Sequence, residues 1–85
     1  MDRTEIINAV NDACVELLKA DRSSLSEDTS FGDDLDADSL DLVEVVMSLE
    51  DRFGIAIPED ELEGVETIGQ AADLVQARLT DEARK

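Results

Sequence analysis

The sequence predicts an all-α domain: a four-helix bundle of three longer helices and one short helix, with a long loop between helices 1 and 2. Three observations carry that expectation. Apolar residues recur at three- and four-residue steps in separate segments. Gly, Pro and Ser/Asp-rich stretches fall between those segments. Aromatic residues are limited to Phe31 and Phe53, without Trp or Tyr, whereas sandwiches and barrels draw on more aromatic and β-branched residues. At 85 residues the chain fits one domain, spanning 1–85, with an ordered part over about 4–79 and a polar tail over 80–85. A hydrophobic content of 42% supplies a core and exceeds that of a disordered acidic tail.

The first helix is expected over about 4–20, with Ile6, Ile7, Val10, Cys14, Leu17 and Leu18 on one face. Thr4 or Asp2 is available as its N-cap. Cys14 lies in that apolar face and reads as a small buried hydrophobe, since a reactive thiol needs a cationic, exposed setting. A loop over 21–37 follows, rich in Ser, Asp and Gly, with Leu25, Phe31 and Leu35 as anchors to the core. Loops of this length are often functional. Phe31-Gly32 suits a turn. The second helix is expected over 39–53, capped by Asp38 or Ser39 and stopped at Gly54. An extended link over 55–58 ends at Pro58, which suits the start of a short helix over about 59–63 ending at Gly64. The last helix starts near Thr67, where Thr67 and Gln70 form a capping-box pattern. Ile68, Ala71, Ala72, Val75 and Leu79 give it one apolar face.

The second helix carries two apolar stripes. Leu42, Val46, Leu49 and Phe53, with Val45 beside them, form a core stripe. Leu40, Val43 and Met47 form another, centred roughly 130° away, with Glu44 and Asp51 next to it and Asp41 further round. Either another helix covers the second stripe, or it is a docking strip rimmed by carboxylates. Charge favours docking. Between positions 33 and 63 there are 12 acidic residues and a single base, Arg52, so most of the net charge of −16 falls on the loop and second helix.

That charge opposes binding to nucleic acid or to anionic membranes and favours partners with basic patches, or cations. The N-terminus has no basic start followed by an apolar run, and no apolar stretch is long enough to cross a bilayer. A cytoplasmic, freestanding monomer is expected. With no His, no Ser-His-Asp or Cys-His nucleophile can be assembled, and a zinc site lacks ligands. Asp34-x-Asp36-x-Asp38 starts like a calcium loop, but Ser39 stands where the sixth-position Gly belongs and Val45 where the twelfth-position Glu belongs. No specific metal site and no catalytic residue are expected. Ser39, at the end of a long loop and the start of a helix, is either an ordinary N-cap or a point of modification.

The run Phe31-Gly32-Asp33-Asp34-Leu35-Asp36-Ala37-Asp38-Ser39-Leu40-Asp41-Leu42-Val43-Glu44-Val45-Val46-Met47-Ser48-Leu49-Glu50-Asp51-Arg52-Phe53, followed by Ile55-Ala56-Ile57-Pro58-Glu59-Asp60-Glu61, resembles the acyl carrier protein signature. Thr67-Ile68-Gly69-Gln70 is similar as well, and the resemblance covers about 6–79. It implies a non-catalytic carrier on which a phosphopantetheinyl transferase places 4′-phosphopantetheine, taken from coenzyme A, on the Ser39 hydroxyl. Asp38 and Leu40 would flank that site. Acyl groups would ride on the arm's thiol as thioesters. Leu40, Asp41, Val43, Glu44, Met47 and Asp51 would face acyltransferases, ketosynthases and other acyl-processing enzymes of fatty-acid or polyketide biosynthesis. The core would part between helices to shelter an acyl chain. Two positions depart from the family pattern. Asp36 stands where Gly is usual, and Asp tolerates left-handed backbone. Gly64 stands where a bulkier, often basic residue is common, which predicts a different end to the short helix. Two further readings are a peptidyl or aminoacyl carrier with the same arm, and an unmodified acidic adaptor or cation-binding protein.

Overall fold

A computed structural model of the chain describes the backbone of residues 2–83 and the side chains of residues 2–80. Helix α1 spans Arg3–Leu18, α2 Ser39–Phe53, α3 Glu59–Leu62 and α4 Ile68–Ala83, with a 3-10 turn at Arg22–Ser24. Three long helices and one short one make the four-helix arrangement expected from the periodicity, and α1 packs against both α2 and α4.

Local chemistry sets most of the boundaries. Asp2, in extended conformation, is the N-cap of α1, but its side chain makes no capping bond. Thr4 lies inside the helix. At the other end α1 stops at Leu18, short of the expected 20, because Lys19 turns left-handed at φ 59° and its N–H returns to the Cys14 carbonyl. Gly54 ends α2 in the same conformation, at φ 66°, donating to the Glu50 carbonyl. The capping box on α4 forms as predicted: Gln70 N–H donates to Thr67 Oγ1 at 3.2 Å, and Thr67 N–H to Gln70 Oε1 at 3.1 Å. Helix α4 continues to Ala83, past the expected end of the ordered part near Leu79, and Arg84 and Lys85 lie outside the described residues. Gly64 is not the stop of α3. The helix ends at Leu62 with Glu63 as cap; Gly64 has no positive φ, and a Cβ there would meet open space.

Ile6, Val10 and Cys14 of α1, Val45, Val46 and Leu49 of α2, Leu62 of α3, and Ile68, Ala71, Ala72 and Val75 of α4 converge in one core. Burial pushes the Cys14 thiol up to about 11, so at neutral pH it is a packed apolar group and not a nucleophile. Phe31 is buried in this core, and Leu25 and Leu35 pack against it, as their spacing in the loop foretold.

The loop is also held through its backbone. Gly69 N–H donates to Glu27 O at 2.9 Å, Ile68 N–H to Thr29 O at 3.0 Å, and Phe31 N–H to Glu66 O at 2.9 Å. Ser30 and Thr67 form an isolated antiparallel bridge. A Cβ on Gly69 would sit 3.1 Å from Glu27 O, so glycine permits this close approach. Arg3 clamps the same joint, donating to Glu27 at 2.6 Å and to Asp73 at 2.6 Å. The loop is therefore a fixed strap that delivers the chain to the start of α2.

Candidate functional site

Ser39 is the first residue of α2 and is exposed. The sequence left its hydroxyl two roles, and the structure assigns the cap to its neighbour. Asp38 Oδ1 accepts from Asp41 N–H at 2.9 Å, and Asp41 Oδ2 accepts from Asp38 N–H at 3.3 Å. This reciprocal box meets the needs of two terminal donors. It also fixes the helix entry without Ser39 Oγ, which has no hydrogen-bond partner among the described residues. The N–H groups of Ser39 and Leu40 belong to the first turn, where no carbonyl precedes them within the helix. An anion esterified to Ser39 would lie beside those donors and the positive end of the α2 dipole. The site therefore fits a phosphate-linked group.

The approach to Ser39 is tight. Ala37 N–H donates to Phe31 O at 2.8 Å, and Asp34 Oδ2 accepts from Ser30 N–H at 2.7 Å. Closing this turn puts Asp36 at φ 54°, the left-handed conformation that its short polar side chain tolerates. Asp34, Asp36 and Asp38 have separate roles here, in the Ser30 bond, the left-handed turn and the helix cap. Among the described residues no group of three or more His, Cys, Asp or Glu side chains is arranged to hold a metal ion.

Two grooves meet at Ser39. One, of about 350 Å³, runs between the loop and the α3–α4 connection and is lined by Ser30, Phe31, Gly32, Asp33, Ala37, Asp38, Ser39, Leu42, Val65 and Glu66. The other, of about 260 Å³, runs between α2 and α3 and is lined by Ser39, Leu42, Val43, Glu59, Leu62 and Glu63. The sequence reading did not include Leu62, Val65 or Glu66 near Ser39. They reach it only because the α3–α4 connection pairs with the loop, and no periodicity encodes that pairing.

The two stripes of α2 separate at every position but Val43. Val45, Val46 and Leu49 are buried, with Leu42 and Phe53 packed against the core. On the opposite face Leu40 and Met47 are 67% and 57% exposed, among the few large apolar side chains left uncovered. Glu44 and Asp51 are exposed beside them, and Asp41 is partly so. Val43 differs: it is half-buried and lines the α2–α3 groove. No helix of the described residues is long and apolar enough to cross a membrane.

Comparison with known proteins agrees with this geometry. A family model described as a phosphopantetheine attachment site matches residues 4–75. The acyl carrier protein of Lactobacillus acidophilus is 43% identical over 77 residues, covering 91% of this chain and 96% of that relative. That of Rubrobacter xylanophilus is 44% identical over 80 residues, covering 94% and 99%. A solved structure from Mycobacterium tuberculosis, assigned as an acyl carrier protein, superposes with a TM-score of 0.77 at 30% identity, covering 85% of this chain and 96% of that one.

Proposed function

Since the chain belongs to the phosphopantetheine-binding acyl carrier protein family, we propose that Ser39 is the residue that bears its 4′-phosphopantetheine arm. The observation that carries this reading is the division of labour at the start of α2. Asp38 caps the helix, and Ser39 keeps an exposed hydroxyl that has no hydrogen-bond partner among the described residues, at the end of a strapped loop. In the attachment step Ser39 Oγ forms a bond to the phosphorus that carries pantetheine in coenzyme A. The pyrophosphate bond breaks, and the adenosine bisphosphate half leaves. The serine proton passes to a base supplied by the transferase. When bound, the arm supplies a thiol that holds acyl groups as thioesters. This chain supplies placement and recognition.

Recognition falls to the outer face of α2. Leu40 and Met47 offer adaptable apolar contact, and Asp41, Glu44 and Asp51 flank them with charge. Partners with basic docking patches fit this face: the phosphopantetheinyl transferase, acyltransferases and ketosynthases of fatty-acid or polyketide synthesis. Val43 serves the groove more than the outer face. Intact-mass measurement after incubation with coenzyme A and a broad-specificity transferase tests the central assignment. The expected result is a gain of one arm in the wild-type chain and none in Ser39→Ala. An arm still gained by Ser39→Ala would move the attachment elsewhere, and no gain in either chain would favour an unmodified adaptor.

A further inference from the structure

The two walls of the α2–α3 groove differ in how firmly they are held. Helix α2 is fixed by three buried side chains. Helix α3 is a single turn of four residues, too short to be stable alone. It has Pro58 at its N-cap, no side-chain capping bond, and Leu62 as its one buried residue.

Two polar ties compensate. Ahead of the helix, Ile57 N–H donates to Glu50 Oε2 at 2.8 Å, which sets the angle of entry. Within it, Arg78 of α4 grips Glu61 as a fork, with Nη2 2.5 Å from Oε1 and Nε donating to Oε2 at 3.2 Å. This is the only ion pair among the described residues that touches α3. Arg78 itself stands on α4, which Ala71, Ala72 and Val75 bury firmly in the core. A movable wall is thus fastened to a rigid one on the side away from the groove.

Taking Ser39 as the root of an acyl-bearing arm, we propose that the Glu61–Arg78 ion pair is the latch that sets how long an acyl chain the α2–α3 groove shelters. With the latch closed, the groove holds its volume of about 260 Å³, suited to a short or medium chain. A longer chain enters only as α3 swings outward, and swinging it breaks the fork. Ion pairs at this degree of exposure are worth at most about 1 kcal/mol, so loss of the latch raises the open population about two- to fivefold.

The test loads the full chain with butyryl, octanoyl, dodecanoyl and hexadecanoyl arms from the corresponding coenzyme A thioesters. It then measures thioester cleavage by hydroxylamine for the wild type and Arg78→Met. Wild-type protection is expected to peak at a medium length. In Arg78→Met the profile shifts, with octanoyl less protected and dodecanoyl more protected, so that the two curves cross. Glu61→Gln reproduces the shift, and the exchange Glu61→Arg with Arg78→Glu restores the wild-type order. A general loss of stability lowers protection at every length and produces no crossing. Arg3→Met, which breaks an ion-pair cluster whose residues do not line the groove, serves as the control. Parallel curves for wild type and Arg78→Met, or an equal shift in Arg3→Met, overturn the latch while leaving Ser39 as the attachment point. Failure of the wild-type chain to take up any arm overturns both.

Discussion

At the residue scale, Asp38 and Ser39 are neighbours with different hydrogen bonding: the Asp38 carboxylate caps α2, while the Ser39 hydroxyl has no hydrogen-bond partner among the described residues. Both residue types are good caps, and composition at those two positions does not choose between them. Geometry does, because a carboxylate can join a reciprocal box with Asp41 while the serine stands one position inside the helix. Asp36 is the other residue of note here, since it makes a left-handed turn two residues ahead of the Asp38 cap. Most L-residues lose about 1–2 kcal/mol in that conformation, and β-branched ones lose the most. Asp36→Val is therefore expected to lower stability by about 1–2 kcal/mol. Asp36→Gly should stay within about 1 kcal/mol of wild type, because relief of strain is offset by a freer unfolded chain. Urea denaturation of the two variants checks this, and equal stability of Val and Gly at this position would contradict it.

At the element scale, the contacts between helices are partly polar, and one carboxylate joins three elements. Asp12 on α1 pairs with Arg22 of the 3-10 turn and with Arg52 of α2, the latter at 3.0 Å. The Arg22 hydrogen bond, followed by that of Arg52, holds the Asp12 carboxyl below its usual range. A carboxyl whose pKa falls on folding stabilises the fold fully above its unfolded value, about 3.9 for Asp. That contribution disappears as the pH drops through the lowered folded value. Because all three side chains are about half exposed, each pair is worth only about 0.2–1 kcal/mol. Asp12→Asn should accordingly melt below wild type by a constant margin between pH 5 and pH 8, and the margin should close as the pH falls below about 4. Thermal melts of both proteins in parallel across that range provide the check. A margin that closes above pH 6, or never closes, would assign the effect to something other than this carboxylate.

At the scale of the whole molecule, the parts written in local chemistry were legible in the sequence and the parts written in backbone pairing were not. Helix α2 begins at Ser39 and ends at Phe53 as expected, because an acidic cap and a glycine stop act on their own segment. The exposure of Leu40 and Met47 needed the structure, since only the arrangement of α1, α3 and α4 decides which face of α2 is covered. The seam joining Glu27, Thr29 and Phe31 to Glu66, Ile68 and Gly69 is made by main-chain groups that carry no sequence signal. Charge was legible in full, and it makes a prediction about the whole fold. Of 7 basic residues against 23 acidic ones, Arg3, Arg22, Arg52 and Arg78 are each paired to carboxylates. The acidic excess around Ser39 and along α2 is left to repel itself. Salt acts on both terms: it weakens the exposed pairs, worth at most about 1 kcal/mol each, and it screens repulsion beyond about 10 Å at 0.1 M. Repulsion should dominate, because a net charge of −16 spreads over many more pairs of charges than the few that attract. Melting temperature is therefore expected to rise by several degrees between 10 and 200 mM sodium chloride, equivalent to about 1 kcal/mol for a domain of this size. Magnesium at the same ionic strength should raise it further, since a divalent ion placed between carboxylates neutralises more charge locally. A melting temperature that falls with salt would mean that the arginine pairs, and not the acidic surface, set the electrostatic balance of the fold.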